Sequence, residues 1–292
     1  MEQFEAHGAA AGDSRPALYV VATPIGNLRD ITLRALDVLR GVALVAAEDT
    51  RVTARLLGHY QIATTLTALH AHNEKGVIPR LLRLLAQGKS VALVSDAGTP
   101  AISDPGAQLV AAARAAGHRV VPVPGASALT AALSAAGFSD PRFLFQGFLP
   151  QRAGERRRVI EALRTVRWAL VFYEAPHRID AALADLCELL GAARRIVIAR
   201  ELTKLFETMH ACTLGEARQW LAADANRARG EFVLVVEGAA DADDEPDRAR
   251  RVLEVLLAEV PLKQAVALAA RITGAKKNAL YALALNLKKR GE

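Results

Sequence analysis

Val91-Ala-Leu-Val-Ser-Asp-Ala-Gly-Thr-Pro100 decides the fold: an apolar run that suits a buried strand passes straight into a polar loop holding a glycine. The pattern recurs at residues 17–22, which lead into Thr23-Pro-Ile-Gly-Asn-Leu28, and at 120–123, which lead into Pro122-Val-Pro-Gly-Ala-Ser127. A helical pattern follows each loop. In an open α/β sheet such loops collect at the carboxyl ends of the strands, where ligands bind. Glycine there lets the backbone approach a ligand closely. Any one of these loops reads as ordinary turn chemistry. Three at strand ends in one half of the chain point to a small-molecule site.

Working outward, apolar runs at 17–22, 42–47, 91–94 and 120–123 alternate with amphipathic stretches such as 79–88, which closes on a glycine cap. Asp104-Pro105 is expected to open a helix, with Asp as N-cap and Pro in the first turn. Such alternation predicts a mostly parallel sheet and a first α/β domain over residues 17–126. Over 127–238 the strand signals fall at 142–148, 168–173, 195–199, 205–212 and 231–236, and only one clear helix, 214–222, lies among the last three. That spacing predicts a second α/β domain whose sheet is mixed, with antiparallel members. Residues 239–247 are acidic, lack apolar periodicity and read as a linker. Helical patterns follow at 248–259, 262–272 and 276–289, split by Pro261 and by Thr273-Gly274. Two short helices joined through a glycine turn resemble a helix-turn-helix, so 248–292 reads as a nucleic-acid-binding module or as an accessory helical bundle. Residues 1–16 have neither a basic n-region nor an apolar h-region and read as a disordered tail.

The 292 residues, 52% hydrophobic, suffice for one large core or for several smaller ones. No run approaches the roughly 18 apolar residues of a membrane helix. Cys187 and Cys212 match no zinc or CxxC spacing; Cys187 lies on a helical face and reads as a core residue. A reducing cytoplasm fits that usage. The net charge is +6 and the pI about 9.6, but distribution says more than balance. Basic residues gather at Arg152, Arg156, Arg157 and Arg158, and again at Arg271, Lys276, Lys277, Lys288, Lys289 and Arg290.

The first loop is not a GxGxxG, and no GxxxxGK[ST] occurs, so dinucleotide binding and nucleotide hydrolysis lack support. The loops offer instead backbone N–H groups, Asp96 and the Thr99 and Ser127 hydroxyls. That mixture suits a zwitterionic ligand, with amides for a carboxylate and an acidic oxygen for an ammonium. Glu48-Asp49-Thr50-Arg51 follows the run 42–47 and reads as a ligand-binding strand end or as a helix cap. Glu174-Ala-Pro-His-Arg178 ends another strand; Pro176 fits a first helical turn, which leaves His177 and Arg178 near the mouth of the site. His177 reads as structural, and Arg178 as a phosphate contact or an ion-pair partner. His70 and His72 alternate on a possible strand without a third ligand nearby, so no metal is expected. Arg200-Glu-Leu-Thr-Lys204 is a further polar strand end.

Taken in order, TPIGNLRDIT, AEDTR, SDAGTPAISDPG, PVPGASA, FYEAPHR, ARELTKLFE and GEFVLVVEG resemble the tetrapyrrole methylase superfamily, and within it the branch that acts on small-subunit ribosomal RNA. The resemblance runs from Ala17 to Gly238 and on through the C-terminal helices. It implies two α/β domains of tetrapyrrole-methylase type with S-adenosylmethionine in the cleft between them, a small C-terminal helical module, and a homodimer. The implied substrate is 16S ribosomal RNA within the small ribosomal subunit, methylated on the 2′-oxygen of a cytidine in the decoding region. On this reading Pro24, Gly26, Asp96, Ala97, Gly98, Thr99, Gly125, Ser127 and Tyr173 face the cofactor. Glu48, Arg178, Lys276 and Lys277 face the substrate. Asp49, Arg51, Glu201 and Lys204 are the catalytic candidates, with no general base singled out. Two rivals remain: carbon methylation of a porphyrin precursor on the same fold, and a ribosome-binding protein without catalysis. The basic C-terminal module and the Arg152–Arg158 cluster weigh against the first. Three retained glycine loops weigh against the second.

Overall fold

In this computed structural model, residues 16–239 and 245–290 are described. Strands β1 (Ala17–Val21), β2 (Leu44–Ala47), β3 (Leu66–Ala68), β4 (Val91–Val94) and β5 (Arg119–Val123) form one sheet in the order β3-β2-β4-β1-β5, with every pairing parallel. Helices cover both faces, which is why β2 and β4 are apolar at every position. On one face α1 (Leu33–Gly41) and α2 (Thr50–His59) set Ala35, Leu39 and Leu57 against Val45, Ala92 and Val94. On the other, α3 (Glu74–Ala86) and α4 (Ala107–Ala115) set Leu81, Leu85 and Leu109 against Leu18, Val91 and Leu93. Because β1 and β4 are neighbours, their loops meet: Thr23 and Gly98 exchange backbone hydrogen bonds of 2.9 and 3.0 Å.

The second sheet holds β6 (Phe143–Phe148), β7 (Ala169–Glu174), β8 (Arg195–Arg200), β9 (Thr208–Thr213) and β10 (Phe232–Val236) in the order β6-β7-β10-β8-β9. Only β6 and β7 pair in parallel; the other pairings are antiparallel, so the sheet is mixed. Helix α5 (Ala128–Ala136) packs Ala132 and Ala136 on one face, against Val171 and Val233. Helices α6 (Ala153–Ala162), α7 (Ile179–Leu190) and α8 (Leu214–Ala222) cover the other around Phe172, Ile198 and Leu234. Cys187 and Cys212 are free thiols packed against that core, and burial pushes the Cys212 thiol up to about 11. Helices α9 (Glu245–Glu259), α10 (Leu262–Thr273) and α11 (Lys277–Arg290) enclose a separate core of Leu253, Ala265, Ala269, Leu280 and Ala284. Among the described residues no helix is long and apolar enough to cross a membrane.

Some elements depart from the sequence reading. The helix expected at Asp104-Pro105 starts at Ala107, with Gly106 rather than Asp104 at the N-cap. The preceding turn holds Ala101, Ser103 and Gly106 in left-handed backbone conformations, and a Cβ at Gly106 would come within 2.6 Å of the Leu93 side chain. The strand expected from residue 205 starts at Thr208; Leu205 and Phe206 form an exposed turn after Glu201 and Thr203, both at positive φ. His70 and His72 lie beyond β3 rather than on it, with ring centroids 6.1 Å apart. No group of His, Cys, Asp and Glu among the described residues is arranged to hold a metal ion. Helix α9 begins at Glu245, inside the stretch read as a linker; the remainder of that linker at 240–244 and the tail at 1–15 lie outside the described residues.

Candidate active site

A cleft of about 420 Å³ opens between the two sheets. The first sheet's loops supply Ile25, Glu48, Asp96 to Thr99, Ile102 to Asp104 and Ser127. Strand ends and turns of the second supply Phe148, Tyr173 to Pro176, Leu202 and Glu231 to Val233. Its walls therefore come from segments far apart in sequence, each fixed by its own sheet.

Carboxylates concentrate on the first-sheet side. The Asp96 carboxylate accepts the Asp49 backbone N–H at 2.9 Å, and the Asp96 N–H donates to Glu48 Oε2 at 3.5 Å. Burial, with Asp96 and Asp49 nearby, pushes the Glu48 carboxyl above its usual range. Asp104 is raised to about 6, first by burial and then by Glu48, while a hydrogen bond with Ser95 works the other way. Two carboxyls raised in this way beside a third acid make the cleft a candidate functional site. A cationic ligand would relieve the repulsion among them.

Asp49 lies just outside the lining. It caps α2 by accepting the Arg51 N–H at 2.8 Å, and its carboxylate pairs with the Arg51 guanidinium at 2.6 Å. The Arg51 hydrogen bonds hold Asp49 down at about 2. So strong an acid is a weak proton acceptor at neutral pH.

The hydroxyl of Tyr173 accepts the Leu129 N–H at 3.2 Å, at the start of α5, and its ring meets Phe145 and Phe148 edge-on at 4.9 and 5.7 Å. Burial raises its pKa. Thr99 Oγ1 donates to the Ala126 carbonyl at 3.4 Å, which ties the β4 loop to the loop before α5.

The turn after β8 borders the cleft through Leu202. Lys204 Nζ donates to Glu201 Oε1 at 2.8 Å and to Glu231 Oε2 at 2.9 Å, while Glu201 also accepts the Glu231 N–H at 3.0 Å. Burial opposes ionisation of Glu201 and Lys204 alike, but their mutual contacts outweigh it: Glu201 is lowered and Lys204 raised. The Lys204 stem crosses to the first loop, where a Cβ on Gly26 would come within 2.4 Å of its Cγ. Gly26 is a glycine so that the two halves can touch.

Of the residues singled out from sequence, Glu48, Asp96, Ala97, Gly98, Thr99, Ser127 and Tyr173 come together on the cleft wall. Pro24 lines a smaller adjoining hollow of about 230 Å³ that shares Asp96. Gly125 packs on Ala22, whose Cβ leaves only 3.0 Å for a Cβ there. Arg178 is drawn inward: its Nε and Nη2 contact Glu174 Oε1 at 2.7 and 2.5 Å. His177 is exposed. Lys276 and Lys277 are exposed beside the glycine turn that joins α10 to α11. The sequence reading passed over Ile102, Asp104, Phe148 and Leu202. Leu202 lies two residues past β8 and Phe148 ends β6, while Ile102 and Asp104 lie further along the loop after β4, so position alone gave a weak signal.

Residues 17–218 match the tetrapyrrole (corrin/porphyrin) methylases, and residues 242–288 match a domain described as the RsmI C-terminal HTH domain. Ribosomal RNA small subunit methyltransferase I of Pseudomonas aeruginosa is 54% identical over 93% of this chain and 98% of its own. The protein of the same name from Neisseria meningitidis serogroup A is 50% identical over 98% and 99%. Among solved structures, the methyltransferase CobJ superposes with a TM-score of 0.57 at 22% identity, over 77% of this chain and 95% of that one. Uroporphyrin-III C-methyltransferase from Thermus thermophilus, complexed with S-adenosyl homocysteine, superposes with a TM-score of 0.53 at 17% identity, over 76% and 97%. With its sequence matched across both sheets and its fold shared with solved methylases, the chain belongs to the tetrapyrrole (corrin/porphyrin) methylases, in the family of ribosomal RNA small subunit methyltransferase I.

Proposed function

We propose that this protein transfers a methyl group from S-adenosylmethionine to the ribose 2′-oxygen of a cytidine in the decoding region of 16S ribosomal RNA. The observation that carries the reading is the cleft in which Glu48, Asp96 and Asp104 stand beside the glycine-bearing loop 96–99. A sulfonium ligand with an ammonium group brings positive charge to a wall built of carboxylates. Full-length likeness to relatives named for small-subunit ribosomal RNA supplies the substrate class.

Asp96, Ala97, Gly98, Thr99, Ser127 and Tyr173 hold the cofactor in this reading, with Glu48 and Asp104 completing the negative wall. Pro24, Gly26 and Gly125 shape the loops behind them. S-adenosylmethionine supplies an already activated methyl group. The protein's task is then placement, and orientation of reacting groups lowers barriers by roughly 7–11 kcal/mol. The ribose hydroxyl must also lose its proton. Glu48 and Asp104 are better acceptors than Asp49, because their raised pKa values lie nearer neutrality. Glu201 and Lys204 brace the wall through each other and Glu231. The helices over 248–292 add electrostatic affinity for RNA through Lys276 and Lys277. The protein works in the cytoplasm as a homodimer, a state that sedimentation reads directly.

The test is incubation with labelled S-adenosylmethionine and small ribosomal subunits lacking the mark, followed by digestion and identification of nucleosides by mass. A 2′-O-methylcytidine is expected. Cofactor binding without transfer to subunits or free RNA would reject the RNA reading in favour of a porphyrin precursor. Absence of cofactor binding would reject methyl transfer itself.

A further inference from the structure

Phe148 is the most exposed phenylalanine on the strands of the second sheet. It ends β6, an edge strand, and lines the cleft with 53% of its surface exposed. Its placement follows from a local device. The register of β6 against β7 slips between Phe145 and Gly147, a β-bulge, and Gly147 takes φ +74°. Bulges re-aim side chains beside functional sites. Gly147 also lies against the first half of the chain, where a Cβ would come within 3.0 Å of Ser103 Oγ. The bulge thus brings β6 up to the 99–106 turn and leaves Phe148 on the cleft wall together with Ile102.

The ring is braced. Tyr173 meets it edge-on at 5.7 Å, and the Arg178 guanidinium lies over one face at 5.9 Å. Arg178 is itself pinned by Glu174, whose side chain is almost fully buried. The held guanidinium and the Tyr173 ring together fix the orientation of Phe148 on the cleft wall. Four residues further on, Arg152 stands at the N-cap of α6 with 85% of its side chain exposed and a long 3.4 Å contact to Glu155. An aromatic ring on the cleft wall, followed four residues later in the chain by an exposed cation, suits a base with its phosphate.

We propose that Phe148, braced by Arg178 and Tyr173, is the stacking platform for the base of the nucleotide to be methylated, with Arg152 toward its backbone. Proteins that recognise RNA hold unstacked bases of loops and single strands on aromatic and arginine planes. Stacking is sequence-tolerant, so Phe148 fixes the nucleotide's position and not its identity. Arg178 thereby acts as a positioning residue through Phe148, and its charge goes to Glu174 in place of a phosphate. The inference rests on the RNA reading of the cleft. A nucleobase could also come from the cofactor's adenine, and the test separates the two.

Phe148→Ala, Phe148→Leu and Phe148→Trp are compared with the unaltered protein in methyl transfer to unmarked small subunits, and in calorimetric titration with S-adenosylmethionine. Phe148→Ala is expected to lower kcat/KM for subunits by roughly ten- to a hundredfold, in line with the loss of one base stack, and to leave cofactor Kd and Tm unchanged. Phe148→Trp should recover most of the rate and Phe148→Leu little of it. A parallel loss of cofactor affinity would assign the platform to adenine and overturn the inference. So would an unchanged rate, or recovery by leucine equal to that by tryptophan. Failure of the unaltered protein to methylate subunits, with cofactor bound, would reject the RNA reading first and this inference with it.

Discussion

The carboxylate of Asp96 accepts the backbone N–H of Asp49 at 2.9 Å, across the ends of the adjacent strands β4 and β2. One side chain thus serves both the corner that launches α2 and the cleft wall. Asp96→Asn retains an acceptor for Asp49 while removing the charge; Asp96→Ala removes both. Calorimetry should find S-adenosylmethionine affinity lowered roughly tenfold in the asparagine variant, about 1.4 kcal/mol, with Tm nearly unchanged. The alanine variant should lose that affinity and about 1 kcal/mol of stability for the lost hydrogen bond. Unchanged affinity in both would remove Asp96 from the cofactor site.

Asp104 makes the cleft sensitive to pH. The fold raises its pKa from 3.8 to about 6, so the native state favours the protonated acid. That contribution to stability is complete below pH 3.8 and is lost as pH rises through about 6. Asp104→Asn should therefore be more stable than the unaltered protein above pH 6 and gain little below pH 4. The gain is roughly 1 kcal/mol once discounted for the solvent that screens this half-buried group. Cofactor affinity should move oppositely, rising from pH 5 to 7 as Asp104 ionises, and the variant should flatten that rise. Paired thermal melts and titrations at each pH test both.

Gly26 and Lys204 bring the first loop and the turn after β8 into contact. Gly26→Ala places a Cβ against the Lys204 stem and should displace its ammonium from Glu201 and Glu231. We expect a loss of about 1–2 kcal/mol, as for modest overpacking, and weaker cofactor binding. Lys204→Ala in the Gly26→Ala background removes the clash, so thermal melts should show that the second change costs less there than alone.

Away from the cleft, Arg156 Nε and Asp185 Oδ2 lie 2.7 Å apart, both side chains nearly buried, and Arg157 bonds Asp185 and Glu188 as well. Asp185→Ala leaves the buried Arg156 guanidinium without a carboxylate, with only the Gln151 carbonyl as acceptor among the described residues, and should cost about 3–5 kcal/mol in chemical denaturation. Replacing Arg156 and Asp185 together by apolar residues should cost much less.

That pair also marks where local reading of the sequence ends. The runs at β1, β2 and β4 were legible because strands covered on both faces are apolar throughout. Strand β3, three half-buried residues at an edge, left no such run. In Arg152 to Arg158 the charges look like one patch, but Asp185 and Glu188, on α7, neutralise Arg156 and Arg157. The strand-end loops gave the first-sheet wall of the cleft. Asp104 stayed hidden because Asp-Pro is also an N-cap signal, and the left-handed turn that cancels it uses Ala101 and Ser103, residues that do not announce such a backbone. Phe148 stayed hidden because a phenylalanine at the end of an apolar strand reads as core. The bulge at Gly147 reverses that, and it depends on pairing with β7.

Lys276 and Lys277 test the C-terminal module independently of the cleft. Both are exposed where α10 turns into α11, and Leu280 and Ala284 of α11 are buried in a core that does not include them. Replacing both lysines by alanine should leave Tm and S-adenosylmethionine affinity unchanged. Each lysine set against a phosphate releases a counterion, so binding to RNA should weaken and its salt dependence flatten. For two contacts to single-stranded RNA the slope of log K against log salt should fall by about 1.4. An equal loss of affinity at every salt concentration would mean that the lysines shape the module rather than meet phosphates. An unchanged affinity would return the three helices to the role of a structural appendage.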